Sequence, residues 1–105
     1  MDRKEAYRKA GIYIDLAKAV VPFKKAVLFG SYVSGMPEDH SDIDIGLFMD
    51  SLIEGEYWDK VVCLQALTHK VDVRIEPHLF IRDADQSGFG EEVEKTGIVI
   101  EEIGV

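Results

Sequence analysis

The spacing of nonpolar residues changes several times along the chain, and each change marks an element. From Arg3 to Val21, the residues Ala6, Ala10, Tyr13, Ile14, Ala17, Val20 and Val21 recur at steps of three and four, with Lys4, Arg8, Asp15 and Lys18 on the other side. This is the pattern of an amphipathic helix with one face in a core. Pro22 predicts its end, because proline cannot continue the hydrogen-bond ladder. Ala26 to Phe29 is wholly nonpolar and too short for a helix, which predicts a buried strand that ends at Gly30-Ser31. A short helical turn and a loop then carry the chain past Gly35 and Pro37 to Ser41.

A two-residue period follows. Ile43, Ile45 and Leu47 alternate with Asp42, Asp44, Gly46 and Phe48, which predicts a second strand. Glu54 to Thr68 returns to helical spacing, with Tyr57, Trp58, Val61, Val62, Leu64 and Leu67 expected inward and Glu56, Asp59 and Lys60 outward. Val71, Val73 and Ile75 alternate with Asp72, Arg74 and Glu76, the signature of a third strand that Pro77 is expected to end. A helix from about Ser87 to Lys95, a Gly97 cap and a strand from Ile98 to Ile103 complete the reading. The expected class is α+β, a mixed sheet of about four strands flanked by helices. At 105 residues the expectation is a single domain spanning 1–105.

Charge narrows the function. Twenty acidic residues against twelve basic ones give a net charge of −8, which repels nucleic acid and anionic membrane surfaces, so neither is an expected partner. Met1 to Lys9 is charged throughout and no apolar run approaches the roughly 18 residues of a membrane span, which points to a cytoplasmic protein. The single cysteine, Cys63, is expected to be a small buried hydrophobe. His40, His69 and His78 show no metal-ligand spacing and are expected to be solvated. Tyr57-Trp58 reads as core packing, and Glu91, Glu92, Glu94, Glu101 and Glu102 as a solvated acidic end.

The chemistry lies in three carboxylates and a turn. Asp42 and Asp44, two apart on a strand, project from one face. Two ionised carboxylates so close repel by about 1 to 4 kcal/mol, depending on the dielectric, and such a pair wants a hard cation such as Mg²⁺. Asp72 joins them if the third strand lies beside the second, and three carboxylates make a two-metal site for in-line phosphoryl or nucleotidyl transfer. Gly30-Ser31, following a buried strand and opening a helical turn, is a candidate phosphate seat: glycine permits close approach and Ser31 adds a hydroxyl.

Gly30-Ser31-Tyr32-Val33-Ser34-Gly35, then Ser41-Asp42-Ile43-Asp44-Ile45, with Val71-Asp72-Val73 later, resembles the polymerase-beta-like nucleotidyltransferase superfamily, and at this size its minimal nucleotidyltransferases, the MNT domains. The resemblance implies that Asp42, Asp44 and Asp72 hold two Mg²⁺ ions, for which Mn²⁺ can substitute, and that Asp72 helps to deprotonate the attacking hydroxyl. Gly30, Ser31 and Ser41 would bind the nucleoside triphosphate, ATP or another. The family often carries an Arg before the second glycine, where this chain has Ser34. Arg74 is the candidate replacement, a salt bridge to Glu76 or another carboxylate being its structural alternative.

The activity implied is transfer of a nucleoside monophosphate, AMP from ATP, to an acceptor hydroxyl. With the chain consumed by this core, the acceptor is expected on another polypeptide or at a homo-oligomer interface. The resemblance implies a HEPN-type toxin as partner, with this chain as its antitoxin. Two rivals stand beside it: a binding module that neutralises a partner by contact alone, and an enzyme modifying a small cationic molecule such as an aminoglycoside.

Overall fold

The computed structural model describes residues 1–37 and 41–103. Helix α1 (Arg3–Ala17) begins where the Asp2 carboxylate accepts a 2.8 Å hydrogen bond from the Glu5 amide, satisfying one of the unpaired donors of a helix start. It ends four residues earlier than the spacing predicts. Its last turn tightens, with the Val20 amide bonded to the Ala17 carbonyl at 2.9 Å, because Pro22 disfavours the helical conformation for the residue before it.

Strands β1 (Lys25–Phe29), β2 (Ile43–Met49), β3 (Ile75–Ile81) and β4 (Ile98–Glu102) form one mixed sheet in the order β3-β2-β1-β4. β1 runs antiparallel to both β2 and β4, whereas β2 and β3 are parallel. The parallel pair requires a crossover, and helix α3 (Tyr57–Leu67) with a 3₁₀ turn (Thr68–Lys70) provides it. A four-residue helix, α2 (Ser31–Ser34), follows β1 directly, and α4 (Phe89–Thr96) precedes β4. The expected α+β class and four-stranded mixed sheet are what the structure has.

The alternation in the strands sorts their side chains to two faces. Ala26, Leu28, Ile43, Ile45, Leu47, Ile75 and Leu79 are buried on one face, where they meet Ala6, Ala10, Tyr13, Ile14 and Ala17 of α1 and Leu64 of α3. Tyr13 crosses this core and donates a 2.7 Å hydrogen bond to the Leu64 carbonyl; its burial pushes the phenol pKa upward. The other face holds a smaller cluster, Val27, Phe48 and Val93 of α4, with Phe29 and Phe80 packed against it.

Several further expectations from the pattern fail on α3 or just after it. Trp58 and Val62 are 73% and 65% exposed, and Cys63 is exposed rather than buried. Only one stripe of α3 touches the sheet, so a continuous nonpolar run cannot all turn inward on a 3.6-residue period. Of the aromatic pair, Tyr57 is half-buried with its hydroxyl donating to the Leu79 carbonyl at 3.2 Å, and Trp58 lies edge-on to it in solvent. The third strand starts four residues later than predicted, leaving Val73 65% exposed, and it continues through Pro77. β3 lies at the edge of the sheet. The Ile43 amide bonds to the Arg74 carbonyl, while the Leu79 carbonyl faces Tyr57, so even-numbered residues pair with β2 and Pro77 presents its missing amide away from the ladder.

Leu28, fully buried in a strand paired on both sides, is central to the larger core. Leu28→Ala is expected to lower the unfolding free energy by about 2–5 kcal/mol, measured by urea denaturation.

Candidate active site

β2 and β3 are in parallel register with Asp44 opposite Glu76, and β1 places Phe29 opposite Asp44 on the other side. In strands, side chains at i and i+2 share a face, so Glu76 and His78 project on the same side as Asp44, while Pro77 points to the other. His78 Nε2 lies 3.3 Å from Asp44 Oδ1. Asp44, Glu76 and His78 each offer a ligand atom, and all of these lie within 4.8 Å of one another.

Asp42, just before β2, completes the group, for it shares a hydrogen bond with Glu76. The Glu76 pKa is raised, first by lost hydration beside the sheet, then by the bond with Asp42 and the charge of Asp44; His78 opposes the shift.

Gly30 closes the site from β1. Its φ of 84° falls in the region that favours glycine, and a Cβ there would overlap Asp44 Oδ2. The turn between β1 and α2 can lie directly against the carboxylate only because residue 30 has no side chain. Ser31 opens α2 at this point, and Ser41 sits half-buried one residue before Asp42. Arg3 of α1 braces the other end of α2, donating to the Tyr32 carbonyl at 3.2 Å and the Gly35 carbonyl at 2.9 Å.

Asp44 thus stands against Gly30, and the carboxylate beside it on the next strand is Glu76 and not Asp72. Asp72 precedes β3 in a turn closed by its own atoms: its Oδ1 accepts the Arg74 amide at 2.9 Å, and its carbonyl accepts the Ile75 amide at 3.1 Å. Lys9 Nζ lies 2.6 Å from Asp72 Oδ2, and the Arg74 guanidinium donates to both carboxylate oxygens at 3.0 and 2.7 Å. With its side chain only 8% exposed, Asp72 ties α1 to the start of β3. The Arg74 bonds, then Lys9, hold its carboxyl well below the usual range.

Arg74, expected near the triphosphate, is therefore engaged with Asp72, the structural alternative weighed from the sequence. The Ser34 side chain and His40 lie outside the described residues. His69 is exposed as expected, but His78 is not merely solvated: it stands in the acidic group, packed on Phe29 at 5.0 Å between ring centroids. The sequence carried one usable signal for Glu76 and His78, their two-residue spacing in alternation with Ile75 and Leu79.

The acidic end is partly compensated rather than simply solvated. Glu94 pairs with Arg82 at 2.6 Å and Lys25 at 3.5 Å, and Glu101 pairs with Lys18 at 2.8 Å. Among the described residues no helix is long and apolar enough to cross a membrane.

A small mixed sheet with an acidic group at the junction of an antiparallel and a parallel pair, abutting a glycine-serine turn, defines a class of transferase folds. The chain belongs to the polymerase beta nucleotidyltransferase family, whose profile matches residues 14–103. A crystal structure of a provisionally named nucleotidyltransferase from Sulfolobus solfataricus is similar in fold, with a TM-score of 0.66 over 95% of this chain and 83% of that one at 15% identity. No curated protein sequence matches the chain.

The donor set suits a divalent cation: carboxylate oxygens of Asp44 and Glu76 lie close together, with the backbone brought against Asp44 at Gly30. A carboxyl whose folded pKa is raised costs stability as pH rises through its titration range. Glu76→Gln is therefore expected to raise the melting temperature in EDTA at neutral pH, to lose that advantage in acid, and to abolish stabilisation by millimolar Mg²⁺ or Mn²⁺.

Asp72 carries the opposite sign. Its depressed pKa contributes stability that is present above about 3.9, the unfolded value, and is lost as the pH falls below it. Asp72→Asn is expected to cost about 1–3 kcal/mol at neutral pH and less in acid, with cation stabilisation retained. Urea melts across pH, with and without metal, check both variants.

Proposed function

We propose that this chain transfers a nucleoside monophosphate, AMP from ATP, to an acceptor hydroxyl, with Asp42, Asp44 and Glu76 holding the required cations and Gly30-Ser31 seating the triphosphate. The observation that carries the reading is Asp44, standing directly against Gly30 with Glu76 beside it on the neighbouring strand. Divalent cations bound there, two Mg²⁺ or Mn²⁺ ions, supply charge that offsets the triphosphate and the carboxylates.

The chain's own groups then have distinct tasks. Gly30 lets the backbone approach the phosphates closely, and the Ser31 hydroxyl and Ser41 add polar contacts to them. Glu76, beside Asp44 on the neighbouring strand, takes the proton of the attacking hydroxyl. The acceptor oxygen forms a bond to the α-phosphorus, the bond from that phosphorus to the bridging oxygen breaks, and pyrophosphate leaves.

The acceptor is proposed to be a side-chain hydroxyl on a HEPN-type partner, with this chain as the antitoxin of the pair; the support is the likeness to minimal nucleotidyltransferases carried by the Gly30-Ser31 and Asp42-x-Asp44 motifs. Incubation with ATP labelled at the α-phosphorus, Mg²⁺ and the product of the adjacent gene is expected to label that product, whereas γ-labelled ATP leaves it unlabelled. Glu76→Gln is expected to slow the labelling by about 10²–10⁴-fold, and Asp72→Asn to leave it within a few-fold of wild type. Label that survives Glu76→Gln, or that vanishes with Asp72→Asn in folded protein, overturns the assignment.

A further inference from the structure

His78 has no part in the transfer just described, yet it stands closer to Asp44 than a bystander needs to. Its Nε2 is 3.3 Å from Asp44 Oδ1, and its ring is fixed from two sides: Phe29 packs against it, and Phe80 lies 6.0 Å away, only 8° from parallel. Gly46 makes room for this arrangement, since a Cβ there would press on the rings of Phe48 and Phe80 at 3.0 Å. The imidazole is thus held in place by packing, and Pro77 fixes the backbone between it and Glu76.

The donors lie close to the span of one coordination shell. At metal-ligand distances of about 2.0–2.2 Å, neighbouring ligands of an octahedral ion lie about 3 Å apart and opposite ones about 4.3 Å apart. The ligand atoms of Asp44, Glu76 and His78 all fall within 4.8 Å of one another. Mg²⁺ favours oxygen donors and sheds water reluctantly, whereas imidazole nitrogen suits first-row transition ions.

We propose that His78 donates Nε2 to the cation held by Asp44 and Glu76, so that the site selects a transition ion of the Mn²⁺ or Co²⁺ kind over Mg²⁺. This rests on the reading of the acidic group as a cation site.

Calorimetric titration of the protein with Mn²⁺, Co²⁺ and Mg²⁺, each without nucleotide, tests the selectivity, and pulsed electron paramagnetic resonance of the Mn²⁺ complex tests the ligand. The expected spectrum shows coupling to a directly bound imidazole ¹⁴N, which His78→Gln abolishes. The same variant is expected to reduce the Mn²⁺-to-Mg²⁺ affinity ratio by at least about tenfold, the lower end of the cost of losing even an outer-shell partner. Should His78→Gln fail to fold, the wild-type spectrum alone decides. Mn²⁺ that binds without nitrogen coupling, or an affinity ratio unchanged in folded His78→Gln, overturns the role of His78 and leaves the carboxylate site standing. No binding of any of the three ions overturns both.

Discussion

Mutual repulsion among carboxylates is the constraint around which this molecule is arranged. Glu76 resists ionisation, first because burial strips its hydration and then because Asp42 and Asp44 stand beside it, a configuration that costs folded-state stability unless a cation offsets it. The rest of the fold holds the group together against that repulsion. Ile43, Ile45 and Ile75, alternating with the acidic residues, are buried against α1 and α3, so that the carboxylates cannot separate without exposing the core.

The two halves of the sheet contribute differently. The antiparallel pair of β1 and β2 brings the Gly30 turn against Asp44, while the parallel pair of β2 and β3 brings Glu76 and His78 alongside it. Parallel pairing requires the α3 crossover, and α3 is seated by Leu64 in the core with Val61 and Leu67 packed against it, by Tyr57 on the Leu79 carbonyl, and by the Tyr13 hydroxyl on the Leu64 carbonyl. At the far end of the crossover, Asp72 binds Lys9 and Arg74 and fixes where β3 begins. Asp72 and Glu76 thus have separate tasks, one setting the position of the strand and the other lying in the site that the strand builds.

Elements with a strong period were legible in the residues. The faces of α1, the alternation of β2 and the break at Gly30 all follow from residue size and polarity, and with them the place of Asp44 against the turn. Less legible was the segment after α3, where Asp72 and Glu76 share one two-residue period and either could have faced Asp44. Val71-Asp72-Val73 looks more like a buried strand than Glu76-Pro77-His78, because proline weakens a strand reading.

By itself, the sequence determined the class of the fold, the acidic pair and the glycine that must stand against it, since these depend on local periodicity and on the absence of a side chain. Only the tertiary structure decided the third carboxylate, because that choice depends on strand register. The Asp72 turn delays β3 until Ile75, and its edge position tolerates Pro77, which places Glu76 opposite Asp44 and carries His78 into the same group. The outward turn of Trp58, Val62 and Cys63 was likewise settled by how little of α3 the sheet can cover.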